Sequence, residues 1–201
     1  MKKILKDALI LFAITLVAGL GLGFVHEITL EPIAEAQHAT TIATYKEVFP
    51  DATDFISEDQ LTAKIDQCNT DAALNDFGSS VAINDVHRAV NDAGETLGYV
   101  VDSGAKGYGG IVYMSTGIDA EGKITGIGFL KMSETPGLGM KAKEDTFTNQ
   151  FRGMSLSEKI QASKSPSSES EFQAVSGATY TSKAVEGAIN AASYFLKNYI
   201  Q

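Results

Sequence analysis

The sequence has little from which a metal centre or a disulfide could be built. Cys68 is its only cysteine, and its three histidines, at positions 26, 38 and 87, have spacings unlike those of metal-binding motifs. A single cysteine forms no internal disulfide, and cysteine-ligated metal clusters need several such residues. Any redox chemistry carried by this chain therefore requires an organic cofactor.

Tryptophan and positive charge are also scarce. The 201 residues include no Trp, and 16 Lys and Arg stand against 25 Asp and Glu, which gives a formal net charge of -9. An acidic surface of this kind repels phosphate backbones, so the composition argues against a nucleic-acid partner. The length is sufficient for one substantial domain.

Near the amino terminus, by contrast, there is one long apolar run. Residues 8–25 carry no charge, and as a helix they approach the roughly 30 Å thickness of a hydrocarbon core. Lysines precede the run, at Lys2, Lys3 and Lys6. The positive-inside rule therefore predicts a cytoplasmic segment over residues 1–7, a transmembrane helix over 8–25 and an exported remainder. A cleaved signal peptide with a site at residues 34–36 fits less well, because signal peptides have shorter apolar regions.

The exported part reads as an α+β domain, with antiparallel strands and flanking helices. A helix is predicted over residues 33–49, so residues 26–52 form a helical juxtamembrane segment and 53–201 the extracytoplasmic domain. Residues 61–68 alternate as in a strand, with Cys68 as a packed thiol. Three further strands are predicted, over residues 97–102, 111–118 and 124–132.

The connections between these elements carry clear turn signals. A glycine-rich segment, residues 103–110, joins the first two of the three strands, and the turn at residues 119–122 makes a hairpin of the last two. The remaining predictions are a short helix stopped by Gly153, a polar loop, and a final helix with Ser182 as its N-cap. The short helix covers residues 143–151 and the loop covers 163–170.

Three of the hydroxyl side chains in the stretch VSGATYTS, residues 175–182, lie just ahead of the final helix. They belong to Thr179, Thr181 and Ser182. The free N–H groups and positive dipole end of a helix N-terminus favour a phosphate there, and Gly177 leaves the backbone uncovered. From the residues alone, this stretch is either an anion site or a hydroxyl-rich helix cap.

The segment Ser176-Gly177-Ala178-Thr179 resembles the S/T-G-A-T signature of the FMN-binding domain in the Rnf and Na+-translocating NADH:quinone reductase complexes. The similarity extends to the amino-terminal anchor and to three further segments. These are GYGG at residues 107–110, GIDAEGKITG at 117–126 and SETPGLG at 133–139. The chain length and SETPGLG are most similar to the G subunit of the Rnf complex.

This resemblance implies a phosphoester between FMN and Thr179, installed by a flavin transferase. In the family the signature usually begins with Asp six residues before the threonine, and here Gln173 holds that position. Leu138 would offer the flavin an apolar face, Tyr108 a stacking partner, and Lys141 a positive charge near the reduced ring. The complete set of implied pocket residues is Ser176, Gly177, Ala178, Tyr180, Thr181, Ser182, Thr135, Gly137, Leu138, Gly139, Lys141, Tyr108 and Gly109.

The resemblance further implies a complex that moves electrons between ferredoxin and NAD while translocating Na+ or H+. Its partners would be other membrane, iron–sulfur and flavin subunits, together with membrane lipid. The chain has no ferredoxin-type cysteine set and no dinucleotide-binding fingerprint after a strand, so we expect an electron relay without catalytic residues or a substrate site. Three alternatives stay open: the C subunit of the quinone reductase, a stand-alone exported flavoprotein, and a non-redox exported binding module.

Overall fold

The computed structural model describes residues 2–200 and divides the chain into two units, one up to Thr41 and one from Ile42 onward. Helix α1 spans Lys2–Val48. Its side chains from Lys3 to Ile28 are all exposed, and by length and composition it could cross a membrane. The predicted helix over 33–49 is not a separate element, because α1 continues through Pro32. A proline inside a helix removes one backbone hydrogen bond, and here it does not end the helix.

A five-stranded antiparallel sheet forms the centre of the second unit, with its strands in sequence order. The strands are β1 Asp54–Ile56, β2 Ala82–Val90, β3 Thr96–Lys106, β4 Ile111–Asp119 and β5 Ile124–Lys131. The predicted α+β class and the hairpin of β4 and β5 are confirmed. The predicted connection over 103–110 was too long, because β3 pairs with β4 as far as Lys106 and leaves a turn of only four residues.

The other elements are short apart from two helices. They are α2 Asp59–Asn69, α3 Asp145–Thr148, β6 Gln161–Ser163, β7 Glu171–Gln173 and α4 Thr179–Phe195. Single 3₁₀ turns lie over Ala72–Phe77, Gly139–Lys143 and Asn149–Phe151, and a π turn over Leu196–Ile200. Strands β6 and β7 form a separate parallel pair.

Two of the helix and strand predictions were wrong. Residues 61–68 are helical, because Leu61, Ile65 and Cys68 are buried together at helical spacing; over so few residues an alternating pattern does not separate the two periods. The predicted helix over 143–151 is broken into α3 and two 3₁₀ turns. Cys68 is buried as predicted, and burial raises the pKa of its thiol to about 11.

The sheet is covered on both faces. Alternate residues of β3 point to opposite sides, so Val101 packs with α4 and α2, whereas Val100 packs with the end of α1. On the first face the Ser103 hydroxyl donates to the Ala188 carbonyl of α4 at 3.1 Å. Helix α4 is therefore fixed directly against the sheet.

A buried carboxylate lies between the end of α1 and the sheet. Asp102 of β3 accepts hydrogen bonds from the Tyr45 phenol of α1 and the Ser115 hydroxyl of β4, each at 2.6 Å. Burial raises the pKa of Asp102 to about 6, although these two hydrogen bonds lower it and Asp85 adds a small increase. Ionised Asp102 is therefore costly to bury even with both donors in place.

We expect the stability of the domain to depend on pH through Asp102. The pKa of Asp102 in the folded chain is about 6, above its ordinary value of 3.8. Because this carboxyl ionises less readily in the folded chain, the unfolding free energy falls as pH rises from the unfolded pKa through the folded one. The variant Asp102→Asn keeps the shape without the charge. Relative to the parent chain, the unfolding free energy of Asp102→Asn should rise by roughly 3 kcal/mol between about pH 3 and pH 8. Urea unfolding across this range measures the difference; a constant difference would contradict the assignment.

Candidate functional site

A cavity of about 340 Å³ lies beside the first turn of α4. It brings together three segments that are distant in sequence, namely the turn between β3 and β4, the loop after β5, and the start of α4. The residues lining it are Tyr108, Glu134, Thr135, Leu138, Gly139, Gly177, Ala178, Thr179, Tyr180 and Thr181. Its volume falls within the range of small-molecule pockets.

Thr179 is the first residue of α4 and its side chain is exposed. The first helical hydrogen bond is donated by Ser182 N to Ala178 O at 3.0 Å. The N–H groups of Thr179, Tyr180 and Thr181 precede that bond and have no partner within the helix. No side chain caps this end in the described structure. The N-terminal end of α4 thus presents unpaired N–H donors and the positive end of the helix dipole next to the exposed Thr179 hydroxyl.

The predicted N-cap was wrong, because α4 begins three residues before Ser182. Ser182 is buried, and its hydroxyl donates to Ala178 O while accepting from Val175 N, both at 3.0 Å. Thr181 is also buried, and its hydroxyl donates to a carboxylate within the domain. Of the three aliphatic hydroxyls in the first turn, only that of Thr179 is exposed.

The residue that receives the Thr181 hydrogen bond, Glu134, was missing from the predicted set. Glu134 is 7% exposed. Its Oε2 accepts from Thr181 Oγ1 at 2.7 Å, while Oε1 accepts from the backbone N–H groups of Tyr108 and Gly109 at 2.9 and 3.0 Å. The sequence signal for it was only its place within SETPGLG, where nothing local indicates burial.

Exposed apolar side chains form the rim of the cavity. Tyr108 is 72% exposed, Tyr180 68% and Leu138 45%. The two tyrosine rings lie 6.2 Å apart between centroids, with 46° between their planes. Leu138 leans towards Gly177, where an added Cβ would lie 3.2 Å from its Cδ2, and where the backbone has a φ of +75° that favours glycine. These side chains offer surfaces against which a flat, apolar ligand can lie.

Five predicted pocket residues lie nearby but do not line the cavity. They are Ser176, Ser182, Gly137, Lys141 and Gly109. Ser176 and Lys141 are exposed, and Gly137 has a φ of +75° in the loop after β5. Gly109 acts through its backbone N–H on Glu134.

Gln173, in the position usually held by Asp, is exposed at the end of β7. Its side chain donates to Lys164 O at 2.9 Å, and its N–H donates to Gln150 Oε1 at 2.8 Å. Within residues 2–200, no group of three His, Cys, Asp or Glu side chains is arranged to hold a metal ion.

Two protein-family models match this chain, one of them over the part that holds the cavity. A sequence model of the FMN-binding domain matches residues 107–193, which include every residue of the cavity lining. A model of the RnfG N-terminal region matches residues 1–48.

Similar proteins match along nearly the whole chain. The G subunit of the Na(+)-translocating ferredoxin:NAD(+) oxidoreductase complex of Acetobacterium woodii is 36% identical, over 94% of this chain and 89% of that protein. The G subunit of the ion-translocating oxidoreductase complex of Methanosarcina acetivorans is 28% identical, over 95% and 93%.

Among solved structures, NqrC of Shewanella oneidensis has a similar fold, with a TM-score of 0.50 at 22% identity. The match covers 56% of this chain and 59% of that one. Because the similarity to G subunits covers nearly the whole chain, these findings fit a G subunit better than a C subunit. The match to the FMN-binding domain fits a flavoprotein better than a non-redox binding module. The chain belongs to the family of Rnf complex G subunits, as a membrane-anchored member with an FMN-binding domain.

Proposed function

We propose that this chain carries FMN covalently on Thr179 and relays electrons within an Rnf-type ferredoxin:NAD oxidoreductase that translocates Na+ or H+. The observation that carries the proposal is the exposed Thr179 hydroxyl at an uncapped helix N-terminus, on the edge of a cavity. A phosphoester at that hydroxyl would place the phosphate among the unpaired N–H groups of the first turn.

The residues around Thr179 fit a flavin phosphate. Thr181 and Ser182 have hydroxyls engaged in buried hydrogen bonds, which leaves Thr179 as the accessible aliphatic hydroxyl of the turn. Gly177 has no side chain that could cover the approach to Thr179. A covalent link keeps the cofactor at high effective concentration outside the cytoplasm, where a dissociated flavin would be lost by dilution.

The cavity walls support the flavin ring in this proposal. Bound FMN supplies electron transfer in one- or two-electron steps, and the protein supplies position and electrostatics. Tyr108, Tyr180 and Leu138 give the ring apolar surfaces to lie against, and Thr135 and the Gly139 backbone lie within the same lining. Ser176, Gly137, Gly109 and Lys141 stand outside that lining and would act on the ring only from its margin.

No substrate site is needed for this role. The chain would take electrons from one partner cofactor and pass them to the next, among other membrane, iron–sulfur and flavin subunits. We place residues 8–25 in the lipid of the cytoplasmic membrane, residues 1–7 on the cytoplasmic side and the domain from residue 53 outside. The three lysines ahead of the apolar run support this orientation.

Gentle purification from membranes tests the place of the chain in a complex. The tagged full chain, expressed in its own host and solubilised in mild detergent, should bring down several membrane and iron–sulfur subunits in fixed proportion. Recovery as a monomer that carries flavin but no partner would contradict the complex and favour a stand-alone flavoprotein.

A further inference from the structure

Three separate segments meet at the carboxylate of Glu134. The turn between β3 and β4 contributes the N–H groups of Tyr108 and Gly109, and the first turn of α4 contributes the Thr181 hydroxyl. Glu134 itself belongs to the loop after β5. Each oxygen of the carboxylate therefore faces a different wall of the cavity, and the side chain joins them.

Glycines allow the backbone to close around this carboxylate. A Cβ on Gly107 would lie 2.5 Å from Glu134 Oε1, and one on Gly139 would lie 2.7 Å from Oε2 and 2.5 Å from Thr181 Oγ1. Real Cβ atoms do not approach so closely, so a side chain at either position would force the Glu134 carboxylate to move. Gly107 of GYGG and Gly139 of SETPGLG thus have a structural reason that does not involve contact with a ligand.

Nothing in the proposed electron relay uses this buried side chain directly. Hydrogen bonds to an ionised acceptor are stronger than neutral ones, and a donor left unpaired in a buried place is costly. Two backbone donors and one hydroxyl would lose their partner together if the carboxylate were removed. The geometry is that of a clamp between the segment bearing Tyr108 and the helix turn bearing Thr179.

We propose that Glu134 is a positioning residue, which fixes the Tyr108 turn against the first turn of α4 and so sets the width and shape of the flavin cavity. The role of the cavity in this inference rests on the proposed function, whereas the clamp itself is a property of the unloaded chain. Glu134 acts through Tyr108, Gly109 and Thr181.

The clamp is tested first without flavin, by amide hydrogen exchange of the full chain in detergent. In Glu134→Ala, the amides of Tyr108 and Gly109 should exchange at least tenfold faster than in the parent. In Glu134→Gln they should stay within about threefold, because the amide oxygen still accepts both N–H groups. Equal exchange in Glu134→Ala and the parent would overturn the proposal.

A matched control separates the clamp from a general loss of stability. Asn190 is buried and holds the backbone N–H and carbonyl of Ile160 at 2.9 Å each, away from the cavity lining. Asn190→Ala should accelerate exchange at Ile160 and leave Tyr108 and Gly109 protected. Acceleration of Tyr108 and Gly109 to the same degree in Asn190→Ala would overturn a local role for Glu134.

The consequence for the cofactor is tested on chains loaded by a co-expressed flavin transferase. The visible circular dichroism and fluorescence anisotropy of the flavin should change in Glu134→Ala and be restored in Glu134→Gln. Thr181→Val removes only the hydrogen bond between α4 and Glu134, so it should change both signals while the Tyr108 and Gly109 amides stay protected. This variant also serves as the test if Glu134→Ala does not fold. Unchanged flavin signals in loaded Glu134→Ala and Thr181→Val would overturn the positioning role. If the parent chain takes up no flavin, that would contradict the proposed function, and the clamp would still be tested by amide exchange.

Discussion

Replacement of Thr179 by alanine should abolish covalent flavin on this chain while leaving its fold intact. The change removes the exposed hydroxyl that would form the phosphoester, and the neighbouring hydroxyls of Thr181 and Ser182 are buried in hydrogen bonds. Because Thr179 is exposed, its truncation should alter the unfolding free energy by about 0.5 kcal/mol or less. Flavin fluorescence of the denatured full chain in a gel, after co-expression with a flavin transferase, reports the link.

Two matched variants control for this result. Thr179→Ser keeps a hydroxyl at the same position and should retain the fluorescent band. Thr62→Ala removes an exposed hydroxyl on α2, outside both the signature and the cavity lining, and should leave loading unchanged. A fluorescent band of normal strength in Thr179→Ala would place the attachment elsewhere and refute the central assignment.

The second large effect is expected at Gly117, where β4 meets the end of α1. A Cβ there would collide with Thr125 Oγ1 and lie 2.6 Å from the carbonyl oxygen of Val48. Thr125 Oγ1 donates to that same carbonyl at 2.6 Å, so Gly117→Ala crowds the contact and displaces its hydrogen bond. We expect a loss of about 2–4 kcal/mol of unfolding free energy, from overpacking and the lost hydrogen bond together.

Denaturant unfolding of the full chain in detergent measures this loss, with Gly110→Ala as the control. A Cβ on Gly110 would meet its nearest neighbour, Ser133 Cβ, only at 4.0 Å, so that variant should remain within about 0.5 kcal/mol of the parent. Equal stability of Gly117→Ala and the parent would show that the end of α1 at Val48 does not pack on the sheet as described.

Local interactions explain what the sequence could predict. The hairpin of β4 and β5 follows from its own turn, where Asp119 accepts from the N–H groups of Glu121 and Lys123, and Gly122 has a φ of +76°. These contacts lie within five residues of one another and are visible in the sequence. The apolar run of α1 is likewise visible in the sequence.

Contacts between distant residues explain what the sequence could not predict. The cluster around Glu134 joins residues 47 positions apart, and a glutamate in a polar loop gives no sign that it will be buried. The start of α4 was misplaced because the Ser182 hydroxyl, a good cap in principle, instead bonds to Val175 and Ala178 inside the turn. Residues 61–68 were misread because burial against β2 and its neighbours, rather than local alternation, decides their form.

The position of the flavin link is the most direct test of the proposed function. Peptide mass spectrometry of the full chain, purified after co-expression with a flavin transferase, should find the mass of one FMN less one water on the peptide containing Thr179, with fragment ions assigning it to that residue. An unmodified Thr179 peptide in a chain that carries flavin on another residue, or no covalent flavin at all under conditions in which the transferase modifies a known substrate, would contradict the account.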